Sequence, residues 1–232
     1  KSVQVFGGES GSFDSSLGVV STAEYGKVFI SILSTTGLDL TATEKKQLVS
    51  DFAKYTVASI TPVIVDPETT FLILDVRFKY DSSKTTLATS QIESEVVSAI
   101  TKYNTDNLEK FEGVFRHSKV TRLIDDANTS ILNNTTNVNL GKFFAPDTTA
   151  ATSYNIYFNN ALYNPHSGHN SSAGGILAST GFFINGNTTN EHFLDDNGAG
   201  IVRLYYVLAG NRVYVDTTAG TINYSTGAVF IE

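Results

Sequence analysis

Two histidine clusters are the first residues in this 232-residue chain whose types could do chemistry. His166-Ser167-Gly168-His169 places two imidazoles three positions apart, and His192 lies close to Asp195 and Asp196. Imidazoles and carboxylates converging from two loops would suit zinc or a harder cation. Such spacing fixes a shared face on a helix but fixes no geometry along a glycine-containing loop. Local hydrogen bonding within polar loops is therefore the expected role of both clusters. Asp195-Asp196-Asn197-Gly198-Ala199-Gly200 has the acids and glycines of a calcium loop, without the alternating ligands or the distal glutamate of an EF-hand. A hairpin turn is expected there. Gly7-Gly8-Glu9-Ser10-Gly11 lacks the lysine and the following helix of a phosphate loop, and reads as a linker. Ser10 is not in a Gly-x-Ser-x-Gly elbow, and no carboxylate pair stands out for glycoside hydrolysis. Consequently no catalytic residue, no metal ligand and no cofactor is assigned, and the chain is not expected to be an enzyme.

The elements that would position these residues fall into two halves. After a short strand at Val3 to Phe6, the linker leads to a strand at Tyr25 to Ile32. Thr41 and Glu44 have capping-box spacing, so a helix should start there with Leu48, Val49, Phe52 and Tyr55 on its apolar face. Ile60 to Val65 forms the next strand. Thr70 to Tyr80 alternates most clearly: Leu72, Leu74, Val76, Phe78 and Tyr80 share one face, and Asp75, Arg77 and Lys79 the other. Ser90 and Glu93 suggest a second capping box, opening a helix with Ile92, Val96, Ile100 and Tyr103 in one stripe. A short helix near 119–127 and a strand near 137–144 complete this half. The order strand, helix, strand, strand, helix, strand predicts a ferredoxin-like split β-α-β sandwich over 25–144, preceded by an N-terminal strand and linker over 1–24.

From Ala145 the helical periodicity is lost. Strands are expected at Tyr154 to Phe158, Ile201 to Val207, Arg212 to Val215 and Ala228 to Ile231, with turns at Asn197-Gly198, Gly210-Asn211 and Thr226-Gly227. The overall class is thus α+β, with an all-β C-terminal domain over 145–232 that includes a long Gly/Ser/Asn-rich loop from Asn164 to Asn190. Phe143-Phe144 and Phe182-Phe183 are paired aromatics, and in an alternating strand one ring of each pair faces away from the core. At least one such outward ring is expected to be buried against a partner chain.

Composition sets the outer limits. Charged residues are only 17% and the net charge is −7, which argues against a nucleic-acid or anionic-membrane partner held by a basic field. No cysteine is present, so no disulfide framework or thiolate metal site can form. No apolar run approaches the ~18 residues of a membrane span. Methionine is also absent, and the first residues stand in mid-pattern, so the chain is expected to be a segment of a longer polypeptide.

Several stretches together resemble the baseplate wedge proteins of T-even-like contractile-tailed phages, related to the baseplate J-like family. They are Val5-Phe6-Gly7-Gly8-Glu9, Tyr25 to Ile32, Gly37-Leu38-Asp39-Leu40-Thr41 running into Glu44-Lys45, and Val65-Asp66-Pro67-Glu68-Thr69-Thr70. The resemblance continues through Tyr157 to Ala161, Leu194-Asp195-Asp196, Tyr214-Val215 and Thr218 to Gly227, in order over nearly the whole chain. It implies a structural role for the C-terminal part of a longer wedge protein. Pairs would join side by side into an inner baseplate ring that holds the wedges together while the baseplate changes shape and triggers sheath contraction. Implied partners are a second copy, as a homodimer, and other wedge subunits. The implied place is the virion's tail baseplate, after assembly in the host bacterial cytoplasm. A receptor- or glycan-binding virion surface domain is the alternative, because Leu204-Tyr205-Tyr206 offers aromatic rings on which sugars stack.

Overall fold

The computed structural model describes residues 2–11, 13–14, 19–20, 22–34, 39–56, 60–143, 152–184 and 186–232. The chain divides into two compact units: residues 1–14 with 21–141, and residues 15–20 with 142–232. The class is α+β, with a mixed sheet in the first unit and an antiparallel sheet in the second.

In the first unit, β1 (Ser2–Gly7) leads into a single helical turn at Gly8–Ser10 where a linker was expected. Short strand β2 (Phe13–Asp14) follows, and after β3 (Val19–Val20), which falls in the second unit, comes β4 (Lys27–Leu33). Helix α1 (Ala42–Phe52) then crosses to β5 (Thr61–Val65). The expected capping box closes α1: Thr41 Oγ1 accepts from the Glu44 amide at 3.3 Å, and Glu44 Oε2 accepts from the Thr41 amide at 2.8 Å. These contacts satisfy two donors that no helical carbonyl reaches. Leu48, Val49 and Phe52 are half-buried, but Tyr55 lies beyond the helix and is exposed. The sheet order is β1-β4-β5, with β4 antiparallel to β1 and parallel to β5.

That pairing corrects the ferredoxin-like expectation. A split β-α-β leaves a slot between its two parallel strands for a third. Here Lys27 to Ser31 pair directly with Thr61 to Val65, which closes the slot. Strand β6 (Phe71–Tyr80) pairs instead with β7 (Ile131–Gly141) as a separate antiparallel two-stranded sheet. The alternation read along β6 holds at every residue. Its inward Leu74, Val76, Phe78 and Tyr80 pack on α2 (Thr89–Tyr103) and α3 (His117–Asp125), which bury Ile92, Val96, Tyr103, Val120 and Ile124. Each fully buried aliphatic side chain of this kind stabilises the unit by about 1.5–3 kcal/mol. Helix α2 starts one residue before Ser90, and its entry is held by Gln91 Oε1, which accepts from the Ala88 amide at 2.9 Å. The Ser90–Glu93 box is therefore not the cap: Gln91 reaches the entry amide of Ala88, two positions ahead of the expected frame.

The second unit is a six-stranded antiparallel sheet of order β8-β13-β12-β11-β10-β9. Its strands are β8 (Tyr154–Tyr157), β9 (Phe182–Ile184), β10 (Asn187–Asp196), β11 (Ile201–Leu208), β12 (Asn211–Asn223) and β13 (Ala228–Ile231). Hairpins join β10 to β11 through Asn197–Gly200, and β11 to β12 through Ala209-Gly210. Ala209 and Gly210 both have positive φ, 49° and 81°, as a tight two-residue hairpin turn requires. Val202, Ile222 and Val229 form the apolar centre, covered by Phe158, Leu162 and Leu177 from the chain that runs from β8 to β9. Strands β9 and β10 lie partly within the stretch expected to be loop.

Candidate interface strand and acidic corner

The aromatic pairs have distinct placements. Phe143 is 75% exposed, and Phe144 lies outside the described residues. Phe182 and Phe183, on β9, are 38% and 58% exposed. Period-2 alternation would turn one ring inward, but β9 is three residues long at the rim of its sheet, and its register with β10 shifts between Asn187 and His192. Neither ring reaches the core. As the terminal strand, β9 has a ladder partner on one side only among the described residues. Open strand edges beside apolar side chains are where chains add to one another. At the rim of the first unit, β1 similarly carries exposed Val3 and Val5.

The acids singled out from the sequence form a different structure. Asp195 and Asp196 end β10 and are almost fully buried, at 2% and 0% exposure. Strand alternation sends their side chains to opposite faces. Asp195 meets Arg203 Nε of β11 at 2.8 Å, Arg212 Nη1 of β12 at 2.7 Å, and the Tyr214 hydroxyl at 3.0 Å. Asp196 accepts from the amides of Ile176 and Leu177 at 2.7 Å each, from the Gly198 amide at 2.9 Å and from the Tyr224 hydroxyl at 2.6 Å. Arg203 also donates to the carbonyls of Ser171 and Asp196. The two acids thus fasten the 164–178 segment to the sheet. Both carboxylates are occupied by donors from the protein itself, as buried charges require. Burial, reinforced by the hydrogen bond to Asp196, pushes the Tyr224 hydroxyl up to about 12.

His192 is 2% exposed and packs edge-on against Tyr206, with ring centres 5.8 Å apart; its Nδ1 is buried without a hydrogen-bond partner. It does not approach the acids as a ligand set: among the described residues no three His, Cys, Asp or Glu side chains gather to hold a metal. The turn expected at Asn197-Gly198 is present, and the segment that bears His166 and His169 docks on it. Gly168 N–H and Asn164 Nδ2 both donate to the Gly198 carbonyl, at 2.9 and 3.0 Å. Arg203, Arg212, Tyr214 and Tyr224 were missed in the sequence. The available signal was Arg203 itself, a lone cation in the apolar run Ile201-Val202-Arg203-Leu204.

The tyrosines proposed as a sugar platform are engaged within the sheet. Tyr205 stacks on Phe193 with centres 5.6 Å apart, meets Tyr214 at 5.9 Å, and lies under the Arg212 guanidinium at 4.7 Å. Arg203 covers Tyr214 at 4.4 Å. These cation–π and ring contacts use the faces a sugar would need.

Comparison with known proteins identifies the family. Residues 1–65 match the model for baseplate structural protein gp6, C-terminal domain I, and residues 68–142 match that for C-terminal domain III. The chain is also 26% identical over 115 residues to baseplate wedge protein gp6 of Enterobacteria phage T4. That match covers 50% of this chain and 17% of the relative, so the chain corresponds to a minor part of that protein's length. The boundary at 66–67 falls between the β1-β4-β5 sheet with α1 and the β6-β7 strand pair with the two helices that connect it. The chain belongs to the gp6 family of baseplate wedge proteins, carries its C-terminal region, and is a structural protein of the viral tail baseplate.

Proposed function

We propose that this chain self-associates to join baseplate wedges side by side into the inner baseplate ring, which holds them together while the baseplate changes shape and triggers sheath contraction. The reading rests on membership of the gp6 family together with one surface feature, the exposed Phe182-Phe183 pair on terminal strand β9. Burying two such rings against a partner removes apolar area from water, and the open edge supplies unpaired backbone groups beside them. Phe143, with its neighbour Phe144, is the second proposed contact. A second copy is the principal partner and other wedge subunits the remainder; neither nucleic acid nor membrane is proposed. Assembly takes place in the host cytoplasm before incorporation into the tail.

Light scattering across a concentration series tests this directly. A reversible species near twice 25.0 kDa is expected, and the Phe182→Ala/Phe183→Ala variant should remain monomeric with an unchanged far-UV spectrum. A clean monomer at every concentration, or a folded double variant that associates as before, would overturn β9 as the contact.

A further inference from the structure

His166 and His169 lie in the turn that docks on Asn197–Gly200, and the fold gives them the geometry their spacing could not. Their ring centres are 5.2 Å apart and their planes nearly perpendicular, at 88°. His166 Nδ1 lies 3.1 Å from the Ser167 carbonyl. A carbonyl only accepts, so Nδ1 carries the proton and the lone pair is left on Nε2, the orientation that metal-binding histidines receive from a backbone carbonyl. His169 is held by its amide, which donates to the His166 carbonyl at 3.1 Å, and by the edge of Tyr163 at 5.8 Å.

The turn beneath them has little room to shift. Gly198 has φ +71°, and a Cβ there would stand only 2.5 Å and 2.6 Å from the His169 carbonyl oxygen and amide nitrogen. Close backbone contact and the two bonds to the Gly198 carbonyl fix the backbone that carries both imidazoles.

Two imidazole nitrogens held about 2.0–2.1 Å from one tetrahedral cation put their ring centres about 5 Å apart. We propose that His166 and His169 form a two-histidine site for a divalent first-row transition-metal cation of the zinc class, with water in the remaining positions. Imidazole is the donor these ions favour, and the net charge of −7 draws cations rather than repelling them. With only two protein donors, the binding is reversible and separate from folding, unlike a closed structural site.

Calorimetric titration of the full chain with zinc chloride at pH 7.5 is the test. One zinc ion per chain is expected, with at least tenfold weaker binding in both His166→Ala and His169→Ala. His117→Gln should bind as the unchanged protein does, because His117 Nε2 is already engaged with the Thr136 carbonyl at 2.9 Å. His166 is exposed, so its alanine variant is not expected to disturb folding, which a far-UV spectrum checks. Absence of saturable binding up to millimolar zinc would overturn the proposal. So would a folded His166→Ala variant whose affinity stays within twofold of the original. Neither result depends on whether the chain self-associates.

Discussion

The helix-covered β6-β7 pair and the six-stranded sheet are both stabilised by buried side chains, but of opposite character. Between β6-β7 and helices α2 and α3, the buried set is Ile92, Val96, Tyr103, Val120, Ile124 and Ile131, joined by apolar residues of β6. In the sheet, a small apolar centre at Val202, Ile222 and Val229 stands beside two buried carboxylates, Asp195 paired with Arg203 and Arg212, and Asp196 held by three amides and the Tyr224 hydroxyl. An apolar core tolerates the loss of a methyl group at a cost that scales with the cavity left behind. A buried ionic cluster does not degrade in that graded way, because removing one member leaves another charge without its partner.

The sharpest way to break the comparison is Asp195→Leu. It leaves Arg203, whose side chain is 13% exposed, facing a hydrocarbon. A loss of about 3–5 kcal/mol is expected in denaturant unfolding. Amide exchange should accelerate across β10, β11 and β12 while α2 and α3 stay protected. Equal acceleration in both regions would show that the cluster is not local to the sheet. Next in size is Ile124→Ala in the apolar core, with 0% exposure, for which about 2–4 kcal/mol is expected with exchange loosened in α2, α3 and β6 instead.

Tyr224→Phe sharpens the contrast at smaller cost. It removes one of four donors to Asp196, and about 1–2 kcal/mol is expected. The hydroxyl is raised from 10.0 to about 12, so its contribution is complete below the ordinary tyrosine range and is lost as pH rises through the folded value. The original protein should therefore weaken between about pH 10 and 12 in a way that the phenylalanine variant does not. A parallel alkaline decline in both would remove Tyr224 from the account. The smallest effect belongs to Thr41→Ala, about 1 kcal/mol, through loss of the cap on α1. Hydrogen bonds from Thr41 hold the Glu44 carboxyl below its ordinary value. The stabilisation it adds is present above the ordinary glutamate range and lost as pH falls through the lowered value, and Glu44→Gln should remove that acid dependence of α1 helicity.

Much of the first unit was readable along the chain. The alternation of β6, the stripe of α2 and the Thr41–Glu44 cap depend on residues within a few positions of each other, and all three are present. Register differed where a competing local bond was available, as with Gln91 reaching the Ala88 amide. Strand β7 begins at Ile131, earlier than expected, because Asn133, Thr135, Asn137 and Asn139 place polar groups on its outward face and blur the strand pattern. In the second unit, Asn187 to Asn190 looks like loop by composition and becomes strand because it runs back along β9, with Asn187 opposite Ile184 and His192 opposite Phe182.

The acidic corner shows the same limit. Asp195 and Asp196 were conspicuous in the sequence, yet their surroundings come from Ile176 and Leu177 on one side and from Arg212, Tyr214 and Tyr224 on the other. What the sequence determined by itself was whatever short-range sterics and periodicity govern: helix faces, caps, hairpin turns and the identity of the most regular strand. Only the tertiary structure decided which strands share a sheet, because β4 could pair with β5 or leave room for β6 at similar local cost. It also decided the fate of the polar side chains. Whether a carboxylate sits in water, holds a metal or closes a network depends on donors that arrive from distant positions, and the free energy of burying it is set by those donors.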